Sequence, residues 1–168
     1  MISARITHNR TSLIEITIDG RRQNITFDTL AAVWGDIAGK DAVDIEYIGA
    51  DICGGLVACC ADICSGQSGI VFVWDTENGE LVHYIEGNFA VRVIIEDGKV
   101  YTIREVSMWG CEPHIELDCC ELGIKDMSHI PERFELDKKQ AHTFAKDPSL
   151  YELVFSGDKP GINVRKEQ

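Results

Sequence analysis

A cysteine and a histidine stand three residues apart in Cys111-Glu-Pro-His114, and Cys119 follows five residues later. Thiolate sulfur and imidazole nitrogen are ligands that zinc prefers in proteins, so a zinc site can be drawn on these three side chains. The neighbouring sequence offers no second Cys-x-x-Cys and no histidine pair to complete a set of four ligands. We therefore predict structural thiols and a surface imidazole, with no metal and no cofactor. A zinc site at Cys111, His114 and Cys119 is the alternative.

Residues that could carry out nucleophilic or acid–base catalysis form no recognisable set. The chain has no Gly-x-Ser-x-Gly elbow. The glycine-rich segment Cys64–Gly69 joins two predicted strands, whereas phosphate-binding loops lead into a helix. Adjacent carboxylates such as Glu96 and Asp97 are frequent, but a strongly acidic segment produces such pairs by chance. We predict a protein that is not an enzyme, with an enzyme site assembled from distant strands as the alternative.

The negative charge of the chain is confined to its central part. The formal net charge is −12. Residues 36–126 carry eighteen acids and five bases, whereas residues 1–35 have a net charge of +1 and residues 127–168 are neutral. Such a field repels phosphate backbones and anionic lipids, so we expect neither nucleic acid nor a membrane as the partner. An acidic face would instead attract a basic protein.

The central segment also contains the residues that we predict to contact such a partner. Trp109, flanked by Met108 and Gly110, is the aromatic residue that we expect to be partly exposed, since interface hot spots are often large aromatics ringed by polar groups. Carboxylates of the same segment would surround it. The predicted partner-binding set is Trp109, Glu77, Glu80, Glu96, Asp97, Glu112, Glu116 and Asp118.

Cysteine usage and hydropathy indicate a cytoplasmic protein. The seven cysteines are odd in number and include two adjacent pairs, Cys59-Cys60 and Cys119-Cys120, which does not suit a disulfide framework. The first ten residues lack the apolar segment of a secretory signal. No apolar run approaches the ~20 residues that a membrane-spanning helix needs.

Strands must position these residues, because the segment 70–123 has the pattern of an antiparallel meander. Runs rich in β-branched and aromatic residues are separated by Asn78-Gly79 and Asp97-Gly98 at hairpin spacing. Gly54–Cys64 is almost continuously small and apolar, which predicts a central strand buried on both faces. The predicted fold is mainly β, an antiparallel meander closed as a sandwich, barrel or propeller-like body, with one or two short helices.

The flanking parts are less regular, and we expect a single domain over residues 1–168. Residues 1–35 predict a hairpin (Ser12–Asp19 with Arg21–Phe27) and a short helix at Asp28–Gly35. Residues 36–126 form the acidic β meander, and residues 127–168 a mixed annex. In the annex, Leu150–Phe155 suits a helix or a strand equally, and Ser156–Gly161 is predicted to be a loop.

One segment repeats. Val71–Gly79 aligns with His114–Gly123 at an offset of 43 residues, and each copy has a strand that ends in Asp followed by a polar turn closed by Gly. That spacing suits one four-stranded propeller blade. Phe72-Val-Trp-Asp75 with Thr-Glu-Asn-Gly-Glu80 resembles the third-strand end of a WD-repeat blade, although the second copy lacks the Trp and no Gly-His pair precedes either. The resemblance implies a protein-binding platform.

These observations predict a non-catalytic module that docks a basic protein through an acidic β surface. One concrete version is an immunity or inhibitor protein that neutralises a nuclease toxin by covering its cationic active site. One alternative is the enzyme described above, with zinc at Cys111 and His114. The other is a subunit of an oligomeric propeller scaffold whose edge strands pair between chains.

Overall fold

A computed structural model describes most of the chain. The described residues are 2–7, 13–18, 21–25, 32, 34–36, 39, 45–63, 68–106, 110, 112–124, 126–136, 147 and 150–165. Within them the chain is mainly β, as the sequence predicts, and helical backbone occurs at residue 32 and residues 34–36. The helix predicted at 28–35 is therefore present in the part of that segment that can be described.

Within the described residues, thirteen strands form four antiparallel sheets. Sheet 1 contains β1 (Ile2–Thr7), β2 (Leu13–Ile18) and β3 (Arg21–Ile25). Sheet 2 contains β4 (Ile45–Cys53), β5 (Leu56–Ile63), β6 (Ser68–Asp75) and β7 (Leu81–Glu86). Sheet 3 contains β8 (Arg92–Glu96), β9 (Lys99–Val106), β10 (His114–Glu121) and β11 (Ser128–Glu135). Sheet 4 contains β12 (Tyr151–Ser156) and β13 (Lys159–Val164).

The sequence pattern explains the central strands. β5 and β6 are buried along almost their whole length, because they lie inside sheet 2 with another sheet against it. β8 instead alternates buried and half-buried residues, the pattern of a strand with one face in the core. The Asp97-Gly98 turn has positive φ at both residues, 49° and 73°, which is the backbone that a two-residue hairpin needs. The predicted hairpin at this position is confirmed.

Sheets 2 and 3 pack face to face over an apolar cluster. Side chains of β5, β6 and β7 meet those of β8, β9 and β10, with Val71 and Val73 opposite Val93 and Val100. The first strands of the two sheets, β4 and β8, lie side by side and run parallel. Gly49 of β4 lies against Val91 and Arg92, and further along both strands the Ile95 amide donates to the Asp51 carboxylate at 3.0 Å. The contacts advance in the same direction along β4 and β8, which shows that the two strands are parallel.

A second apolar cluster joins sheets 3 and 4. It contains Tyr101, Ile103, Ile115 and Leu117 from sheet 3, together with Tyr151 and Ile162 from sheet 4. The rings of Tyr101 and Phe155 meet edge to face, with centroids 6.0 Å apart. Sheet 3 is therefore buried on both faces, one against sheet 2 and the other against sheet 4.

Several local expectations need correction. The predicted antiparallel meander is present but is divided between two sheets, because residues 87–91 leave strand geometry and carry the chain from sheet 2 to sheet 3. Pro131, which interrupts the sequence pattern, lies within β11, where the pairing with β10 shifts register. Leu150–Phe155 is largely strand β12, and the loop predicted at 156–161 is a tight turn followed by β13. The sequence of residues 138–146 also suits a turn or two of helix, and this segment lies outside the described residues.

The repeated segments occupy equivalent places. Val71–Gly79 contains most of β6, the third strand of sheet 2, and His114–Gly123 contains β10, the third strand of sheet 3. Trp74, at the end of β6, is 4% exposed and its ring lies 5.3 Å from that of Phe72. The internal repeat therefore corresponds to two successive four-stranded meanders.

Candidate functional site

The turns of sheets 2 and 3 come together at one end of the molecule. β4 and β8 run parallel, and neighbouring strands within each sheet run antiparallel. The turns after β4, β6, β8 and β10 therefore all lie at the same end of the molecule. We call this the acidic turn end. Six of its carboxylates face solvent at least in part: Glu77, Glu80, Asp97, Glu121 and Asp126 are exposed and Glu96 is half-buried. A further carboxylate, the half-buried Asp75, is engaged within the β6–β7 turn.

The β6–β7 turn is fixed by its own polar side chains. Asp75 accepts a hydrogen bond from the Glu77 amide at 2.8 Å, and the Gly79 amide donates to the Asp75 carbonyl at 2.9 Å. Thr76 donates from both its amide and its hydroxyl to the Gly55 carbonyl, at 2.8 and 2.7 Å, which ties this turn to the β4–β5 turn. The backbone is thus held by its polar residues, and the carboxylates of Glu77 and Glu80 are left exposed.

The turns of sheet 3 are joined in the same way. The Leu122 amide, in the β10–β11 turn, donates to the Gly98 carbonyl of the β8–β9 turn at 3.0 Å. Leu56 from sheet 2 and Leu122 and Met127 from sheet 3 pack against the shared apolar cluster. The turns of the two sheets are therefore anchored to one core, which fixes their carboxylates relative to one another.

Electrostatics at this end is dominated by acids. Among the described residues none of the six carboxylates forms an ion pair, and the basic side chain in these turns is Lys99, which is half-buried. Lys125 belongs to the β10–β11 connection in sequence but lies outside the described residues. Like charges held on fixed turns produce a negative potential that attracts cationic surfaces.

The structure divides the predicted partner-binding set. Glu77, Glu80, Glu96 and Asp97 lie at the acidic turn end. Glu112 precedes β10 at the opposite end, about 25 Å away for a strand of this length. Glu116 and Asp118 lie within β10, and Trp109 lies outside the described residues.

Glu116 and Asp118 belong to a charged network on the face of sheet 3 that points towards sheet 2. Arg104 donates from Nε to Asp118 at 2.7 Å and from Nη2 to Glu116 at 2.9 Å. Asp118 is 5% exposed. A buried carboxylate needs such a partner, since desolvation would otherwise penalise its charge. Arg104 is the residue that sequence reasoning missed here, although it lies opposite Glu116 in the β9–β10 register.

His114 continues this network. Its Nδ1 lies 2.9 Å from the Glu112 carbonyl oxygen and its Nε2 lies 3.1 Å from the Glu116 carboxylate. Both neighbours are acceptors, so the ring satisfies both contacts when it donates from both nitrogens. These hydrogen bonds occupy the two atoms that a metal would use. The imidazole is buried, at 6% exposure, and is not the surface residue that the sequence indicates.

The other ligands of the alternative zinc site do not gather around His114 within the described residues. Cys119 is five residues further along β10 and therefore points to the opposite face, where it packs against the cluster shared with sheet 4. Cys111 lies outside the described residues. Among the residues that the structure does describe, no group of three or more His, Cys, Asp or Glu side chains could hold a metal ion.

A cysteine–histidine pair, which sequence reasoning missed, bridges sheets 2 and 3. The Cys120 sulfur lies 3.5 Å from His83 Nε2, although the residues are 37 positions apart. Both are buried, at 3% and 5% exposure. Burial raises the pKa of Cys120 to about 11, so this sulfur is a thiol at neutral pH and a poor nucleophile. Burial likewise raises the pKa of Cys59 and Cys60, as expected for structural thiols.

The carboxyl group of Glu105 is partly buried. Burial raises its pKa from 4.5 to about 7, and its Oε1 has no hydrogen-bond partner in the described part of the chain. It lies near the end of β9, at the boundary between sheets 3 and 4. Burial, the larger cause, and the neighbouring Glu105 carboxylate raise the pKa of Tyr151. The two groups repel when both are charged, which favours their neutral forms.

Comparison with known proteins gives no family for this chain. No family model, no curated protein and no solved structure matches it. Among the described residues no helix has the length and apolar character needed to cross a membrane.

Proposed function

We propose that the protein is a binding module that docks a basic protein partner through the acidic turn end. The observation that supports this most directly is the juxtaposition of six carboxylates, on turns of two different sheets, with no ion pair among them in the described residues. The turns themselves are held by hydrogen bonds and a common core, so the surface is organised before any partner arrives.

Charge of this kind acts mainly on the rate and specificity of association. A fixed negative surface steers a cationic protein and raises the association rate, an effect that weakens as salt screens the field. It repels nucleic acid and anionic lipid, which makes a basic protein the fitting partner. A nuclease toxin has a cationic surface because it must hold phosphates, so an immunity or inhibitor protein that covers such a surface is one specific version of the proposal.

The experiment measures binding of the full chain to a panel of cationic nucleases by biolayer interferometry at low and high salt. Two variants with equal charge change are compared. One neutralises the turn end (Glu77→Gln, Glu80→Gln, Asp97→Asn), and the other neutralises three exposed carboxylates at the opposite end (Glu86→Gln, Glu112→Gln, Glu135→Gln).

We expect the turn-end variant to associate at least 10-fold more slowly at low salt, and the opposite-end variant to change by less than about 3-fold. High salt should remove the difference. Equal losses in the two variants would show that net charge alone matters. Absence of any complex, or binding that does not respond to salt, would overturn the proposal.

A second candidate function, a propeller-like scaffold subunit, is favoured by the relation of sheets 2 and 3. Their first strands lie parallel and adjacent, and the 43-residue repeat places equivalent segments in their third strands. Successive propeller blades are related in this way. Native mass spectrometry tests it: a defined homo-oligomer would support a scaffold built from several copies, and a monomer at micromolar concentration would argue against it.

A further inference from the structure

A cavity of about 320 Å³ lies where strands of three different sheets approach one another. Its walls come from β4, β8 and β12. The polar part of the lining consists of one guanidinium, Arg92, and three carboxylates, Asp51, Glu96 and Glu152, and the apolar part includes Ile94 and Leu153. Except for Glu96, these residues do not belong to the acidic turn end.

The charged groups of this cavity are not equally satisfied. Asp51 accepts a hydrogen bond from the Ile95 amide, and Glu152 is held by Arg165 and by Asn163. The Arg92 guanidinium contributes to lowering the pKa of Glu152, behind the larger effect of Arg165, but its own buried Nε has no hydrogen-bond partner among the described residues. A buried donor without an acceptor carries a desolvation penalty, which a ligand with an acceptor group would remove.

The chemistry of the lining limits the ligand. A simple anion such as phosphate would pair with Arg92 but would meet three carboxylates. A simple cation would pair with Glu96 but would leave the Arg92 Nε unsatisfied. A zwitterion satisfies both groups. Ligand pockets begin at roughly 300 Å³, so a cavity of this size suits one small molecule.

We propose that this cavity binds a free α-amino acid with an aliphatic side chain. Its carboxylate would accept hydrogen bonds from the planar fork of Arg92, a geometry for which guanidinium and carboxylate are well matched. Its ammonium group would lie against Glu96, and its side chain against Ile94 and Leu153. This inference does not depend on the proposed protein partner, because the ligand is a small molecule and the cavity is built from other residues, Glu96 excepted.

Isothermal titration calorimetry on the full chain tests the inference with three related probes. L-leucine carries both charges, L-leucinamide lacks the carboxylate, and 4-methylpentanoate lacks the ammonium group. We expect L-leucine to bind with a Kd of about 1 mM or tighter. Each probe that lacks a charged group should bind at least about 10-fold more weakly, since each loses one charge-assisted contact.

Variants assign the contacts. Arg92→Gln should weaken L-leucine about 10- to 100-fold and leave the weak binding of L-leucinamide unchanged, because that probe has no carboxylate to lose. Glu96→Gln should weaken L-leucine and leave 4-methylpentanoate unchanged. Asp158→Asn, an exposed change in the β12–β13 turn outside the cavity lining, is the matched control and should have no effect.

The comparison of probes uses the unaltered protein, so it does not depend on whether a variant folds. No measurable heat with L-leucine at millimolar concentration would overturn the inference. Equal binding of L-leucine and L-leucinamide would also overturn it, because Arg92 would then contribute nothing to recognition. Near-ultraviolet circular dichroism confirms that each variant retains its tertiary packing.

Discussion

The two ends of sheets 2 and 3 differ in how their carboxylates are paired, although both ends have exposed ones, such as Glu77 at one and Glu112 at the other. At the acidic turn end, carboxylates are exposed and make no ion pairs with described residues. At the other end, which we call the crossover end, the connection between the sheets packs closely on β6, and Arg104, Asp118, Glu116 and His114 join in one network nearby. The comparison shows that acidity of the sequence does not by itself define a binding surface.

The access of water explains much of the difference in charge pairing between the two ends. Hairpin turns protrude from the sheets, so their side chains remain hydrated and unpaired charge costs little. At the crossover end the chain must return from β7 to β8 across the start of β6, and this connection buries Asn88, whose amide donates to Thr102 at 3.1 Å. Charges enclosed near such a connection need partners.

The largest effect should come from adding a methyl group where the crossover packs. A Cβ at Gly69 would lie 2.4 Å from the Asn88 carbonyl oxygen and 2.7 Å from the Phe89 Cα, which are backbone atoms. Gly69→Ala should therefore lower the free energy of unfolding by about 3 kcal/mol or more, since the connection must move. Urea denaturation monitored by tryptophan fluorescence measures the change.

Gly55→Ala is the matched substitution at the turn end. The nearest atom to the added Cβ would be the Thr76 hydroxyl oxygen at 3.8 Å, an ordinary contact distance. This variant should stay within about 1 kcal/mol of the parent. Equal destabilisation by the two alanines would show that the ends do not differ in packing.

Removal of the network cation should have the next largest effect. Arg104→Ala removes the Arg104 ion pair from the buried carboxylate of Asp118, and we expect a loss of about 2 to 4 kcal/mol in the free energy of unfolding. Lys99→Ala, which removes a half-buried cation at the turn end, should cost less than about 1 kcal/mol. A small effect at Arg104 would mean that the network contributes little to the fold. Thermal unfolding of both variants provides the measurement.

The pH dependence of stability tests how burial of the Glu105 carboxyl group, in contrast to an exposed carboxylate, affects the free energy of unfolding. Its pKa of about 7 in the folded chain exceeds the ordinary value of 4.5, so the folded chain holds this proton more tightly than the unfolded chain. The resulting stabilisation is complete below pH 4.5 and is lost as the pH rises through about 7. After allowance for solvent screening we expect about 1 to 2 kcal/mol from this group.

Glu105→Gln removes this contribution. The difference in free energy of unfolding between pH 5 and pH 8 should become smaller than in the parent, whereas the exposed Glu135→Gln should leave it unchanged. Urea denaturation at the two pH values measures both. An unchanged difference in Glu105→Gln would mean that other groups determine the pH dependence.

The smallest effect belongs to the turn carboxylates. Neutralising Glu77, Glu80 and Asp97 together should change the free energy of unfolding by less than about 0.5 kcal/mol, because the three side chains are exposed and unpaired among the described residues. The same variant is expected to lose partner binding. A large loss of stability would show that these carboxylates hold the turns together, and would weaken their assignment to a partner.

The sequence by itself determined the mainly β class, the hairpin turns and the central buried strand. These features are local: side chains alternate with a period of two along a strand, and Asp-Gly supplies the positive φ that a tight turn needs. The two copies of the 43-residue repeat lie in the third strands of sheets 2 and 3. Local patterns were less informative at Pro131, because they cannot show that a register shift accommodates the proline inside β11.

Only the tertiary structure decided which charges are exposed and which are enclosed. Asp118 and Glu77 are both acidic residues at or near the end of a predicted strand. In the structure, Asp118 is buried beside Arg104, whereas Glu77 is exposed on a turn. The contacts responsible join residues far apart in the chain, such as Asp51 with Ile95, 44 positions later, and His83 with Cys120. Solvent exposure and pairing depend on how whole sheets pack, and no short stretch of sequence contains that information.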